Sequence, residues 1–354
     1  MNRRRPADIL SGRDRSVSAN LIRAGLSVLS PGYRLGATIR NAAFDTGFRR
    51  PKRLDRPVIS VGNITTGGTG KTPMVIELVR RLVGQGRRPA VLLRGYRAGV
   101  AGSDEAILLA EALGATVPVH ANPDRCAAAL KVTEQHPQVD IFILDDGFQH
   151  RQVRRDLDLV LIDATEPFGF DRLLPRGLLR EPLGSLRRAG AVIVTKADAV
   201  GDDQRVRIDQ RIATVAGQAP IAHTAHRWLA WLDGQDKQHR LSHLAGKMVL
   251  GVCGIGNPTA FEATLRAVTR TDARAITFND HHPYTAGDLE AILTEARRCR
   301  AEAVVTTAKD WVKWKSRQSS SSSVPIYRPQ MQIEFIDGAD AVERLLASVE
   351  GNGA

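Results

Sequence analysis

The sequence VISVGNITTGGTGKTP, residues 58–73, decides the fold class of this chain. Its first residues form a β-branched run, which predicts a buried parallel strand. A glycine-rich turn follows and ends in Gly70-Lys71-Thr72. Apolar residues then recur at helical spacing: Val75, Leu78, Val79 and Leu82. The stretch therefore predicts a strand, a tight turn and an amphipathic helix in direct succession.

This layout is the one that a phosphate-binding loop requires, because glycines let backbone N–H groups converge on phosphate oxygens at a helix N-terminus. We expect a nucleoside triphosphate to bind here, with Lys71 on the outer phosphates and Thr72 on Mg²⁺. The pattern G-x-x-x-x-G-K-[ST] has glycine where Thr65 stands, so the loop is a variant. An ordinary glycine-rich turn is the structural alternative. The predicted nucleotide-binding residues are Thr65, Thr66, Gly67, Gly68, Thr69, Gly70, Lys71 and Thr72.

The length of 354 residues predicts about two domains. Three widely spaced cysteines match neither a disulfide framework nor a C-x-x-C metal site, so buried thiols in a reducing compartment are expected. The composition shifts at two places and predicts three parts. They are a basic amphipathic segment 1–56, a nucleotide-binding core 57–205 and a smaller C-terminal α/β domain 206–354.

The positive charge is concentrated at the N-terminus. Residues 1–56 hold thirteen Arg/Lys and four Asp/Glu, a net charge of +9 out of +12 for the chain. No apolar run there reaches the ~18 residues of a transmembrane helix, and Pro31-Gly32 is expected to break the segment in two. Apolar residues interleaved with arginines favour a segment that lies on a membrane surface. A solvated or nucleic-acid-binding basic arm is the alternative.

Strands and helices alternate after the loop, which predicts a mostly parallel sheet flanked by helices. The apolar run 139–144 reads as a strand buried on both faces and ends in Asp145-Asp146-Gly147. Carboxylates at this end of a parallel strand lie where ligands gather, so Asp145 and Asp146 are candidate Mg²⁺ ligands. A simple turn at the strand end is the alternative.

Three further segments bear on function. The loop 168–183 carries arginines, which suit a phosphorylated substrate. Residues 195–198, Thr-Lys-Ala-Asp, imitate the guanine-reading signal of GTPases. In the second α/β part, the turn 254–258 is interpreted as structural. The segment 280–282, Asp-His-His, offers His281 or His282 as a candidate general base.

Taken together, these segments resemble the tetraacyldisaccharide 4′-kinase family of lipid A kinases. The resemblance extends from about residue 20 to 340 in the family's order, and the threonine at position 65 is usual there. Ala308 departs from the family's glutamate, and a serine run near 317–323 is an insertion. The matching segments are 62–63, 67–73, 94–96, 104–105, 145–150, 173–175, 180–183, 254–258, 280–282 and 306–307.

The resemblance implies a kinase that uses ATP and Mg²⁺ to phosphorylate the 4′-hydroxyl of a tetraacyldisaccharide 1-phosphate. It implies that Asp104 is the base, tuned by His281, with Lys71 and Asp146 also catalytic. The implied metal ligands are Thr72, Asp145, Asp146 and Glu105. The expected substrate-binding residues are Asn63, Arg94, Gln149, His150, Arg176 and Arg180.

It further implies a glycolipid partner at the cytoplasmic face of the bacterial inner membrane, with no nucleic acid and no obligate protein partner. Two other functions compete with this hypothesis. A regulatory or metallochaperone GTPase would use 195–198 to read guanine. A nucleic-acid-dependent ATPase would use the basic N-terminus, but aromatic residues are only 5% of the chain, too few for base stacking.

Overall fold

The computed structural model describes residues 6–95, 104–280, 282–315 and 324–349 of the chain. Helices and parallel strands alternate along most of it. The helices are α1 Pro6–Ser11, α2 Val17–Asp45, α3 Lys71–Gly84, α4 Asp104–Leu113, α5 Arg125–Gln135, α6 Asp202–Ala216, α7 Pro258–Thr269, α8 Ala286–Arg298, α9 Ala308–Lys315 and α10 Ala339–Ala347. The strands are β1 Val58–Asn63, β2 Pro89–Leu93, β3 Val119–Ala121, β4 Ile141–Asp145, β5 Leu157–Asp163, β6 Ala191–Thr195, β7 Ala222–Leu232, β8 Gln238–Arg240, β9 Val249–Cys253, β10 Arg274–Thr277, β11 Ala303–Thr306 and β12 Ile326–Asp337.

The chain forms two compact units. The first contains residues up to Arg94, Ala115–Ala225 and the residues from Glu334 onward, and the second contains Gly95–Gly114 and His226–Ile333. Strands β7 and β12 each run through a boundary between the units. The boundaries drawn from composition, 57–205 and 206–354, remain a prediction.

In the first unit the strands lie in the order β7-β6-β5-β1-β4-β2-β3, and every neighbouring pair is parallel. Strand β1 lies between β4 and β5, and all three are fully buried, as their continuous apolar runs predict. The register pairs Val61 with Asp145, so β1 and β4 end at the same edge of the sheet. That edge carries the glycine-rich turn and both aspartates.

The second unit has a smaller parallel sheet in the order β10-β9-β11-β12, with β8 antiparallel to β7. Its core includes the fully buried Trp231, Trp311 and Trp314. The two units together confirm the predicted fold class, a mostly parallel α/β fold flanked by helices.

The N-terminal segment corrects one expectation. Helix α2 runs without interruption from Val17 to Asp45, with Pro31 inside it, although Pro31-Gly32 was expected to end a helix. A proline in a helix interior costs about 3 kcal/mol in propensity. Contacts on both sides of Pro31 offset this cost: Ser30 Oγ lies 3.4 Å from the Leu173 carbonyl, and Tyr33 Oη donates to the Arg180 carbonyl at 3.0 Å.

In the described ranges, none of the helices is both long enough and apolar enough to cross a bilayer. All three cysteines are free, but only Cys253 is buried. Cys126 and Cys299 are partly exposed, so the expectation of buried thiols is wrong for these two.

Candidate active site

The glycine-rich turn joins the end of β1 to the start of α3, as its sequence predicts. Gly70 forms the N-cap of α3 with φ 85°, and Gly67 has φ 123°, so both occupy backbone conformations that favour glycine. Thr65 forms an antiparallel bridge with Leu179 and is not among the residues of positive φ. This position therefore has no steric need for glycine, which explains why the variant loop accepts threonine.

Lys71 begins α3 and turns its ammonium toward two polar side chains. Its Nζ lies 3.3 Å from Asp146 Oδ1 and 3.3 Å from Asn63 Oδ1. Arg180 approaches the same carboxylate, with one guanidinium nitrogen 3.0 Å from Oδ1 and 2.9 Å from Oδ2. Burial opposes ionisation of Asp146, but Lys71 and Arg180 outweigh it and hold the pKa of this carboxyl below its usual value. Asp146 is thus an anion held between two cations.

Asn63 and Gln149 hold the phosphate loop in place by hydrogen bonds. Asn63 Nδ2 donates to Thr69 Oγ1 at 2.9 Å, and Gln149 Nε2 donates to the Asn63 carbonyl at 2.8 Å. Arg180 also lies 3.4 Å from Gln149 Oε1. Three residues predicted to bind substrate, Asn63, Gln149 and Arg180, therefore lie together around the phosphate loop, where they orient the loop and Asp146.

The residues present fit a magnesium ion by their chemistry. Thr72 lies in the first turn of α3, and Asp145 ends β4 with only 4% of its surface exposed. Hydroxyl and carboxylate oxygens are the ligands that Mg²⁺ prefers. In the described part of the chain, no three His, Cys, Asp or Glu side chains converge into an all-protein metal cage. A site made of one or two carboxylates, a hydroxyl and phosphate oxygens is the kind that Mg²⁺ usually occupies.

Lys196 is a contributor to the loop that sequence reasoning missed. It adopts φ 53° after β6, donates to the Gly68 carbonyl at 2.8 Å and pairs with Asp163. Thr195 Oγ1 donates to the Thr69 carbonyl at 2.9 Å. The available signal was the motif 195–198 itself, which we interpreted only as an imitation of guanine readout. Its first two residues brace the phosphate loop.

His150 lies in a separate cationic group of the first unit. Burial, and after it Arg125, Arg155 and Arg94, together lower its pKa from 6.5 to about 4. Arg155 is paired with the buried Asp158 at 2.8 Å. Arg94 and His150, both predicted to bind substrate, therefore share one positively charged environment.

Arg176 and Glu181 connect the arginine-rich loop to the N-terminal helices. Arg176 donates to the Leu10 carbonyl at 2.8 Å. Glu181 is fully buried and accepts from Asn41 of α2 and from Arg188, each at 2.8 Å. Burial opposes its ionisation, but Arg188 and the hydrogen bonds outweigh burial and lower its pKa. Sequence reasoning assigned no role to Glu181, which anchors α2.

The remaining predicted residues belong to the second unit or lie outside the described residues. Asp104 and Glu105 form the first turn of α4, as their order predicts for acidic residues at a helix N-terminus. The Asp104 carboxylate lies 3.6 Å from Lys313 Nζ. His281 lies outside the described residues, and its neighbour His282 pairs with Asp288 at 3.1 Å.

A parallel sheet whose edge carries a glycine-rich turn, a lysine at the helix start and paired aspartates defines a P-loop nucleotide-binding protein. Comparison with known proteins gives the particular family: the sequence profile of the tetraacyldisaccharide-1-P 4′-kinases matches residues 22–350, and the chain belongs to that family. Its members are kinases of tetraacyldisaccharide 1-phosphate. The chain is therefore an ATP-dependent kinase, which confirms the predicted class, donor and activity.

Individual relatives agree. The tetraacyldisaccharide 4′-kinase of Anaeromyxobacter dehalogenans strain 2CP-C is 37% identical over 333 residues, covering 89% of this chain and 87% of that protein. The enzyme of the same name from Syntrophus aciditrophicus strain SB is 40% identical over 329 residues, with 85% and 86% covered. A crystal structure of the Aquifex aeolicus kinase, in complex with ATP, superposes with a TM-score of 0.70 at 26% identity and covers 93% of this chain and 99% of that one.

Proposed function

We propose that the chain transfers the γ-phosphoryl group of ATP to the 4′-hydroxyl of a tetraacylated glucosamine disaccharide 1-phosphate. The observation that carries the proposal is the partly buried network of Lys71, Asp146, Asn63 and Arg180 next to the phosphate loop, in a chain of this kinase family. In the reaction, the 4′-oxygen forms a bond to the γ-phosphorus, the bond to the departing ADP breaks, and a base takes the hydroxyl proton.

Phosphoryl transfer depends mostly on alignment and on stabilisation of charge. The backbone of residues 65–72 and the α3 N-terminus bind the phosphates, and the Lys71 ammonium neutralises the outer ones. Thr72, Asp145 and Asp146 would hold Mg²⁺, which would neutralise phosphate charge when bound. Arg180 and Asn63 keep Asp146 and Lys71 oriented before nucleotide arrives.

Asp104 is the proposed base, with His281 as its partner; both roles rest on the family resemblance. Arg94 and His150 are proposed to contact the substrate from the cationic environment that they share with Arg125 and Arg155. The arginines between Arg172 and Arg188 are proposed to bind the existing 1-phosphate. A phosphate dianion there would be neutralised by paired N–H donors. Arg176 is proposed to lie near the lipid, because it contacts the N-terminal helices.

The membrane location is proposed from the exposed face of α2. Five apolar side chains fall on one narrow stripe of this helix at helical spacing and are 60–79% exposed: Val17, Leu21, Val28, Leu35 and Ile39. The buried positions Ala19, Ala37 and Asn41 lie on the opposite face. An apolar stripe on a segment of net charge +9 suits the interface of an anionic bilayer, here the cytoplasmic face of the inner membrane.

The GTPase alternative is not favoured by the family and its ATP-bound relative. Within 195–198, Thr195 and Lys196 contact the phosphate loop. The nucleic-acid alternative gains no support from the family either.

The test is transfer of ³²P from γ-labelled ATP to purified tetraacyldisaccharide 1-phosphate in detergent micelles, with GTP as a parallel donor. We expect labelled lipid with ATP, and a loss of at least 10³-fold for Lys71→Ala, because the outer phosphates lose their main cation. Lys131→Ala, an exposed lysine on α5, is the matched control and should keep full activity. GTP hydrolysis without any lipid product would overturn the proposal.

A further inference from the structure

Lys313 of α9 has an ammonium that is almost buried, with 7% of its side chain exposed. Its Nζ lies 3.6 Å from Asp104 Oδ2 and donates to the His282 carbonyl at 3.1 Å. It also lies 5.9 Å from the centre of the Tyr284 ring. A buried ammonium needs such partners, because an unpaired one carries a large desolvation cost. Its two polar partners belong to the two segments that the resemblance assigns to proton transfer, α4 and 280–282.

The position of this ammonium is fixed by the first turn of α9. Asp310 is fully buried and accepts from the Gly254 N–H at 2.9 Å and from Thr307 Oγ1 at 2.7 Å. Trp311 and Trp314 are buried in the core of the second unit. Lys313 therefore projects from a helix whose backbone is held on both sides, about one turn after Asp310.

We propose that Lys313 is a positioning residue for phosphoryl transfer: its ammonium orients the Asp104 carboxylate and ties it to the backbone of the Asp-His-His segment. This inference rests on the proposed role of Asp104 as base. An ion pair at this distance restricts the rotamers of a carboxylate that is itself 39% exposed. Misplacing a reacting group by about 1 Å can cost on the order of 10²-fold in rate.

A second lysine on the same helix supplies a control. Lys315 also joins α9 to α4, because its Nζ lies 3.1 Å from Glu111, and it pairs with Asp236 at 3.3 Å. It does not touch Asp104 and is 45% exposed. A lysine that only holds the two helices together should behave like Lys315, whereas a positioning lysine should not.

The experiment measures kcat and KM for ATP in the full chain carrying Lys313→Met, Lys313→Arg or Lys315→Met. We expect Lys313→Met to lower kcat about 10²-fold while KM for ATP changes less than about twofold, since ground-state binding is kept. Lys313→Arg should recover at least about tenfold of that loss because the charge remains. Lys315→Met should match the wild type in both constants. Equal effects of Lys313→Met and Lys315→Met would overturn the proposal.

A double-mutant cycle separates this inference from the function on which it rests. If Lys313 acts through Asp104, then Asp104→Asn/Lys313→Met should have the kcat of Asp104→Asn alone. Losses that multiply would show that Lys313 acts elsewhere and would overturn the positioning role only. A wild-type kcat for Asp104→Asn would instead overturn the proposed base, and the positioning role with it. Thermal unfolding of each variant, with Lys313→Gln as a second substitution, checks that the fold is intact.

Discussion

His150 shows how the charge state of one residue follows from its surroundings. Its pKa is lowered to about 4 from the ordinary value of 6.5, by burial first and then by Arg125 and Arg155. Between these two values the unfolded chain binds a proton that the folded chain does not bind. The free energy of unfolding therefore falls as the pH is lowered from 6.5 toward 4.

The direction of this pH dependence gives a prediction for His150→Gln, which removes the titrating group. Between pH 8 and pH 5 the wild type should lose on the order of 1 kcal/mol more stability than the variant, allowing for partial solvent screening. Urea unfolding at the two pH values measures the difference. His136→Gln, at the end of α5, controls for the loss of a histidine in general. The same pH dependence in His150→Gln and the wild type would contradict the prediction.

Helix α2 shows how an element can form against the preference of one of its residues. Pro31 lies in the helix interior and, as a proline, has no backbone N–H to donate. Its side chain is exposed, so it makes no contribution to core packing. The contacts of Ser30 and Tyr33 with the loop 172–181 hold the helix in spite of it.

Pro31→Ala should therefore stabilise the protein by about 1–3 kcal/mol, because the propensity cost is removed and the contacts remain. The midpoint of urea unfolding measures this gain. Pro258→Ala provides a matched control, since Pro258 lies at the start of α7, where proline is well tolerated. A gain of equal size at both positions would mean that the helix interior is not the cause.

For the molecule as a whole, the charge and the apolar stripe of α2 act together. Val28 and Leu35 are 79% and 61% exposed, so replacing both by aspartate should leave the fold unchanged. We expect Val28→Asp/Leu35→Asp to weaken binding to vesicles of anionic phospholipid at least tenfold, because apolar burial is replaced by charge repulsion.

Cosedimentation with anionic and with neutral vesicles measures this effect. Val206→Asp, a 50% exposed valine on α6, is the matched control and should bind as the wild type does. If Val28→Asp/Leu35→Asp binds as tightly as the wild type, then the apolar stripe of α2 has no part in membrane binding. Binding to neutral vesicles as strong as to anionic ones would exclude the electrostatic contribution.

The residues of the phosphate loop could be predicted because their signal is local. A strand, a glycine-rich turn and the start of a helix lie within sixteen residues. The apolar run of β4 likewise predicts a strand that ends at Asp145 and Asp146. The partners of these residues could not be predicted. Arg180, expected to bind substrate, donates to Asp146. Lys196, which directly follows β6 and is more than a hundred residues away in sequence, donates to a carbonyl of the loop.

The sequence by itself determined the alternation of strands and helices, the phosphate loop and the family, because these depend on periodicity and short motifs. Tertiary structure decided that α2 continues through Pro31, that Glu181 anchors it, and that Lys313 faces Asp104. Each of these outcomes depends on contacts between residues far apart in the chain. Local preference contributes a few tenths of a kcal/mol to about 3 kcal/mol per residue, and the burial of several apolar side chains exceeds it.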